Sequence, residues 1–246
     1  MFKPLTLLAL TTALCLGAAA AASREEAASN TGDSAEGFWV ATTPSGVHVK
    51  WGVLDNGDTW GIYDLDGTIL GAFHGSTRSS QGVLHGTGQA FDIPSRTVGA
   101  TSFTGTYVPR QAISITTSQG VGFSGRYVAG YDQAARLSEL AGGFSGEGLS
   151  SLSPVHSMGL RVEASGAVAL SSDHGCTASG TATPRPGGKN VFNMALQFAG
   201  SGCALGHGTT VSGIAHFSTA SGELFVLAMN AARTDGWLYL GARVGE

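Results

Sequence analysis

TSFTGTYVPRQAISITTSQGVGFSGRYV, residues 101–128, decides the fold. Within it Phe-Thr-Gly-Thr-Tyr (103–107) returns as Phe-Ser-Gly-Arg-Tyr (123–127), and a looser copy, Phe-Ser-Gly-Glu-Gly, follows at 144–148. A spacing of about twenty residues is one hairpin, two strands and two turns, rather than a solenoid unit. Glycine opposite an aromatic lets neighbouring strands bend and coil tightly, as closure into a barrel demands.

Outward from this stretch the same grammar continues, with strand-like runs broken by Gly, Asn, Asp or Ser about every eight to twelve residues. Upstream stand FWVATT, VHVKWGVL, TWGIYDL, TILGAFHG and GVLHGTGQAFDI, which with TSFTGTYV, AISITT and VGFSGRYV make eight runs. Asn56-Gly57 and Asp66-Gly67 supply the positive φ values of type I′ hairpins. Downstream another eight follow: GGFSGEGL, HSMGLRVEA, GAVALSS, CTASGTAT, NVFNMALQF, TTVSGIAHF, GELFVLAMN and WLYLGARV. Between the two series, Ala134, Leu137 and Ala141 fall at helical spacing after Asp132 and before a Gly stop.

The expected fold is therefore all-β: two antiparallel meander barrels of about eight strands, residues 37–131 and 143–246, joined by a short helix over 132–142 that links the domains or plugs a barrel end. Greek-key sandwiches and a single sixteen-stranded membrane barrel are the alternatives, the latter opposed by runs shorter than the nine to eleven residues that spanning requires. In NVFNMALQF, Phe192, Met194, Leu196 and Phe198 share one face, as in a half-buried strand. Leu224–Met229 is apolar on both faces, so this strand is either central to the core or, the favoured reading, covered on its outer side by the other domain.

The chain opens with Lys3, an apolar run from Leu5 to Leu16 and then small residues to Ala22, the order of a secretory signal cleaved after Ala22. Lipidation at Cys15 is a minor alternative, because bulky Leu14 precedes it. Residues 23–36 read as a flexible tether. Export to the periplasm or beyond the cell follows, and in that setting Cys176 and Cys203 read as one disulfide. With 17 Asp and Glu against 13 Lys and Arg and no basic cluster, nucleic acid is a poor partner.

Paired Gly-rich barrels on an exported bacterial chain, carried here by FTGTY, FSGRY, YDQAARLSELAGGFSG (131–146) and GCTASGTATPRPGGKNVFNMALQFAGSGCALG (175–206), resemble the calycin-like exported proteins. The barrel domains of transferrin-binding-protein-B-type surface lipoproteins are loosely included. The resemblance implies architecture only and carries over no functional residue, since barrels of this shape bind unrelated partners.

Candidate chemistry is sparse. Asp173, His174 and His207 flank the two cysteines, so the disulfide brings them to one end of the second barrel as a conceivable metal site, against a plain reading as exposed loop residues. His74 and His85 face each other if their hairpin turns at Ser79-Ser80. Asp64-Leu-Asp66-Gly67 starts like a calcium loop, but its glycine comes too early and it reads as a turn. No GxSxG, SxxK or HExxH occurs, and no cofactor is expected. Trp39, Trp51, Trp60, Tyr63 and Phe73 either line a cavity in the first barrel or fill its core. The leading expectation is a non-enzymatic exported protein that binds or inhibits a protein or other envelope or host macromolecule. A small apolar ligand carrier built on the first barrel and a hydrolase with an unrecognised site are the alternatives.

Overall fold

The computed structural model describes residues 33–150 and 152–245. The predicted signal, Cys15 and the tether up to residue 32 lie outside the described residues. The strands are β1 (Gly37–Thr42), β2 (His48–Val53), β3 (Asp58–Leu65), β4 (Thr68–Ser80), β5 (Val83–Asp92), β6 (Thr97–Val108), β7 (Ala112–Thr117) and β8 (Gly122–Tyr127). A second set follows: β9 (Gly142–Ser150), β10 (His156–Val162), β11 (Ala167–Ser172), β12 (Thr177–Pro184), β13 (Phe192–Ala199), β14 (Thr210–Ser218), β15 (Glu223–Met229) and β16 (Gly236–Arg243).

Each set closes into an antiparallel eight-stranded barrel in sequence order, β1 sealing against β8 through Trp39 opposite Tyr127, and β9 against β16 through Leu238 opposite Leu149. Closure leaves no free sheet edge in either barrel. Among the described residues no helix is long and apolar enough to cross a membrane.

Turn chemistry sets the registers. Asp66 and Gly67 both take positive φ, the expected type I′ pair. At the β2–β3 loop only Gly57 does, and its N–H donates to the Leu54 carbonyl at 2.9 Å, so Asn56-Gly57 belongs to a type I turn with a glycine bulge rather than a type I′ turn. The β4–β5 hairpin turns at Gln81-Gly82, both with positive φ, and not at Ser79-Ser80.

Inside the first barrel, large rings fit because glycines on neighbouring strands make room. A Cβ on Gly61 would meet Trp51 Cε3 at 2.7 Å, and one on Gly86 would meet Phe103 Cζ at 2.2 Å. One barrel end is shut by residues 33–36, the supposed end of the tether. Asp33 accepts from the Gln81 N–H and the Tyr107 hydroxyl, and buried Ala35 bonds Ser79 Oγ at 2.9 Å through its N–H.

The second barrel is filled by the inward rows of its own strands, with Leu160, Phe192, Phe198, Trp237 and Tyr239 in one cluster. Its connector is not a helix over 132–142. The chain makes a 3-10 turn at Ala129–Asp132, extends at Gln133 and Arg136, and forms a single helical turn, α1 (Leu137–Leu140). Fully buried Leu140 joins the core of the second barrel, so the segment both links the domains and plugs a barrel end. Cys176 and Cys203 are bonded, closing a 27-residue separation and placing this part of the chain in a non-reducing compartment.

The barrels pack side by side. Leu224, Val226 and Ala228 of β15 point into the second barrel, while Phe225, Leu227 and Met229 meet Phe38, Trp60 and Ile62 of the first. The covered outer face expected for Leu224–Met229 is thus the domain interface. A buried histidine sits among these apolar residues: His216 stacks on Phe38 with ring centroids 3.9 Å apart, is 4% exposed, and has no partner for Nε2. Burial lowers its pKa from 6.5 to about 4.

Because the buried imidazole is depressed below its unfolded value, the stability it permits is complete above pH 6.5 and drains away as pH falls toward 4. The loss amounts to about 3 kcal/mol. Urea unfolding of wild type across this range shows it, and His216→Phe flattens that part of the profile. Reduction of the disulfide, or Cys203→Ser, costs the second barrel about 3 to 4 kcal/mol by the loop-closure relation, read as a fall in the urea midpoint.

Candidate functional site

The first barrel is not filled to its open end. Trp51 on β2, Phe73 on β4, Phe103 on β6 and Phe123 on β8 project inward at one level and pack ring against ring: Trp51 stacks on Phe73 at 4.7 Å and meets Phe103 edge-on at 5.3 Å and Phe123 at 5.7 Å. Above this floor Val49 and Tyr63 occupy one side, and the inward positions facing them are small, namely Gly71, Ala90, Gly99, Thr101 and Thr117. What remains is a cavity of about 510 Å³ that opens between the β1–β2, β5–β6 and β7–β8 loops. Exposed Ser45, Thr97, Gln119 and Val121 form its rim.

Few polar groups reach into it. Thr101 donates to Gln119 Oε1 at 2.7 Å, and Asp92 is held by Ser95, whose hydroxyl and N–H keep its carboxyl below the usual carboxylate range. Burial pushes the Tyr63 phenol well above its ordinary pKa, so it stays neutral. Trp51 is 1% exposed, and its Nε1 donor has no partner. A buried N–H without an acceptor carries a desolvation cost that a suitable guest removes.

Of the five aromatics singled out from sequence, Trp51, Tyr63 and Phe73 line the cavity. Trp39 lies outside the lining, its indole N–H donating to the Ala35 carbonyl at 3.1 Å. Trp60 faces the opposite way, into the domain interface, with Nε1 on Asp58 at 2.9 Å and the Arg233 guanidinium over its ring. The sequence reading missed Phe103 and Phe123, although they are the first residues of FTGTY and FSGRY, one hairpin apart.

The histidine pairs fall differently from expectation. His74 pairs with Gln89 across the hairpin and His85 with Arg78, so these two do not face each other. His74 belongs to the domain seam, 3.1 Å from Asp58 and 3.1 Å from Arg233. His174 and Asp173 do converge with a second histidine, but it is His156, not His207. Asp64 is buried in an ion pair with Lys50 at 2.9 Å and accepts from the Gly67 N–H, which fits the turn reading of that segment.

A larger groove of about 770 Å³ runs between the barrels over Phe38, Lys50, Arg126, His216 and Glu223. Its lysine is already matched, to Asp64 and to Glu223 at 3.4 Å. The aromatic cavity, with bare apolar walls and one unmet donor, is the better fit to a ligand site. No protein-family model, curated protein or solved structure matches the chain, so the class is defined by geometry alone: two joined eight-stranded meander barrels, one with an aromatic-floored cavity.

Two glycines separate the floor from the void. Gly86→Ala drives a methyl into Phe103 and the Ser76 carbonyl and lowers stability by about 1 to 3 kcal/mol. Gly99→Ala, with open space around the new Cβ, leaves stability within about 0.5 kcal/mol of wild type or raises it. Parallel urea melts check the contrast.

Proposed function

We propose that this protein is an exported carrier or sequestering protein for a small apolar molecule held in the first barrel. The observation that carries the reading is the Trp51–Phe73–Phe103–Phe123 floor beneath an open cavity of about 510 Å³. That volume lies within the range of small-molecule sites, and apolar walls with few polar groups suit a largely hydrocarbon or aromatic guest. One acceptor on the guest, placed for Trp51 Nε1, adds orientation. The resemblance to calycin-like barrels agrees with this use of a barrel interior, and the disulfide agrees with export.

Capture of a macromolecular partner, the leading expectation from sequence, drew on the missing catalytic motifs, the rigid strand-rich body and the doubly apolar strand Leu224–Met229. That strand's outer face is spent on the domain interface, so it offers no partner surface. The aromatic cavity takes precedence for that reason.

The test is tryptophan quenching by N-phenyl-1-naphthylamine, with native mass spectrometry of protein purified from its own envelope for a retained guest. One site with micromolar affinity is expected. Gly99→Leu, which fills the void from its wall, weakens binding at least about ten-fold, or 1.4 kcal/mol, with an unchanged melting temperature. Equal binding by wild type and Gly99→Leu, or none by either, overturns the reading.

A further inference from the structure

Among the described residues one group of three metal-ligating side chains converges: His156, Asp173 and His174, whose donor atoms all lie within 4.8 Å of one another. His156 is the first residue of β10, and the other two lie in the β11–β12 turn. Asp173 Oδ1 is 2.7 Å from His174 Nδ1 and 3.8 Å from His156 Nδ1, and the two imidazoles sit 4.0 Å apart at 46°. We propose that these three residues form a binding site for a divalent transition-metal ion of the Zn²⁺ type, with the fourth position open to water or an external ligand.

The backbone under the cluster is fixed from three directions. The Asp173 N–H donates to the Ser157 carbonyl at 3.1 Å, tying the turn to β10. The Ser172 hydroxyl accepts from the N–H groups of His174 and Cys176, and Cys176 is locked to Cys203. The ligands therefore hang from a braced turn, and only exposed side-chain ends need to move. Tetrahedral zinc holds its donors about 2.0 to 2.1 Å away, hence about 3.3 Å from one another. The two distances to Asp173 bracket that value, so closure asks for shifts of less than about 1 Å at those contacts.

The donor set selects the metal. Two imidazole nitrogens and one carboxylate suit zinc, nickel or copper, whereas magnesium and calcium want oxygen ligands throughout. In the metal-free arrangement the His174 Nδ1–H donates to Asp173; when the ion takes its place at Nδ1, the neutral ring carries its one proton on Nε2 instead. A pure surface hydrogen bond accounts for the Asp173–His174 pair. It gives no reason for the His156 ring to lie against His174 with its Nδ1 turned to the same carboxylate. The site lies in the second barrel and is independent of the ligand cavity in the first.

Untagged full-length protein is titrated with ZnCl₂ alone by calorimetry and by histidine side-chain NMR. One equivalent is expected, with the His156 and His174 resonances shifting together and Mg²⁺ without effect. His156→Ala and Asp173→Asn each weaken uptake at least about ten-fold, the loss that even outer-sphere partners of a metal produce, while His207→Ala binds as wild type and all three variants keep the melting temperature. No uptake from excess zinc overturns the proposal. So does uptake that survives His156→Ala, or that is lost with His207→Ala.

Discussion

The first barrel depends on rings laid over glycines. An eight-stranded barrel is only just wide enough for side chains to fill it, and Trp51 and Phe103 enter only because Gly61 and Gly86 have no Cβ in their way. Those aromatic–glycine pairs concentrate the interior volume into one level. The levels toward the open end carry Val49 and Tyr63 on one side but only Gly71, Ala90, Gly99 and Thr101 across from them, too little to fill the lumen. Close packing of the floor and the void above it are thus two results of one arrangement.

The second barrel solves the same packing problem with more volume per level. Phe192, Phe198, Trp237 and Tyr239 share its interior, Leu140 enters from the connector, and the Trp237 N–H rests on Met158 sulfur at 3.4 Å. Its outer face then serves the partner barrel. β15 has no polar side because Val226 faces one core while Phe225 and Leu227 face the other. Charged groups border this seam, Lys50 with Asp64 and Glu223, and Arg233 with His74, where water still reaches part of each pair. His216 carries an unmatched ring nitrogen into it, and burial lowers its pKa to about 4, which ties the interface to pH.

Most of the architecture was legible because period-two alternation and glycine punctuation are local signals. Strand number, up-and-down order and the covered face of Leu224–Met229 follow from them, while the disulfide follows from a lone cysteine pair behind an export signal. Hairpin centres were harder: Gln81 adopts positive φ although its residue type gives little sign of it, and that shift of the turn undoes the His74–His85 pairing. Trp60 was assigned to the wrong side because its run, TWGIYDL, is apolar on both faces. The third member of the histidine cluster was out of reach, since His156 meets Asp173 only through the β10–β11 pairing and the turn beyond it. Position 134–141 showed helical spacing, but the link between two barrels requires extended backbone at Gln133 and Arg136.

Access to the cavity follows from which end each segment closes. The β4–β5 and β6–β7 turns meet residues 33–36 at one end, where Asp33 bonds Gln81 and Tyr107 and Ala35 is buried under Trp39. Those contacts join residues far apart in sequence, so the plug forms only when the barrel does. The opposite end carries the β1–β2, β5–β6 and β7–β8 loops, with no segment laid across the Thr43, Thr97 and Gln119 rim among the described residues. Under the proposed carrier function, a guest enters between those loops and descends onto the aromatic floor, so that the rim would set selectivity and the rings beneath it affinity.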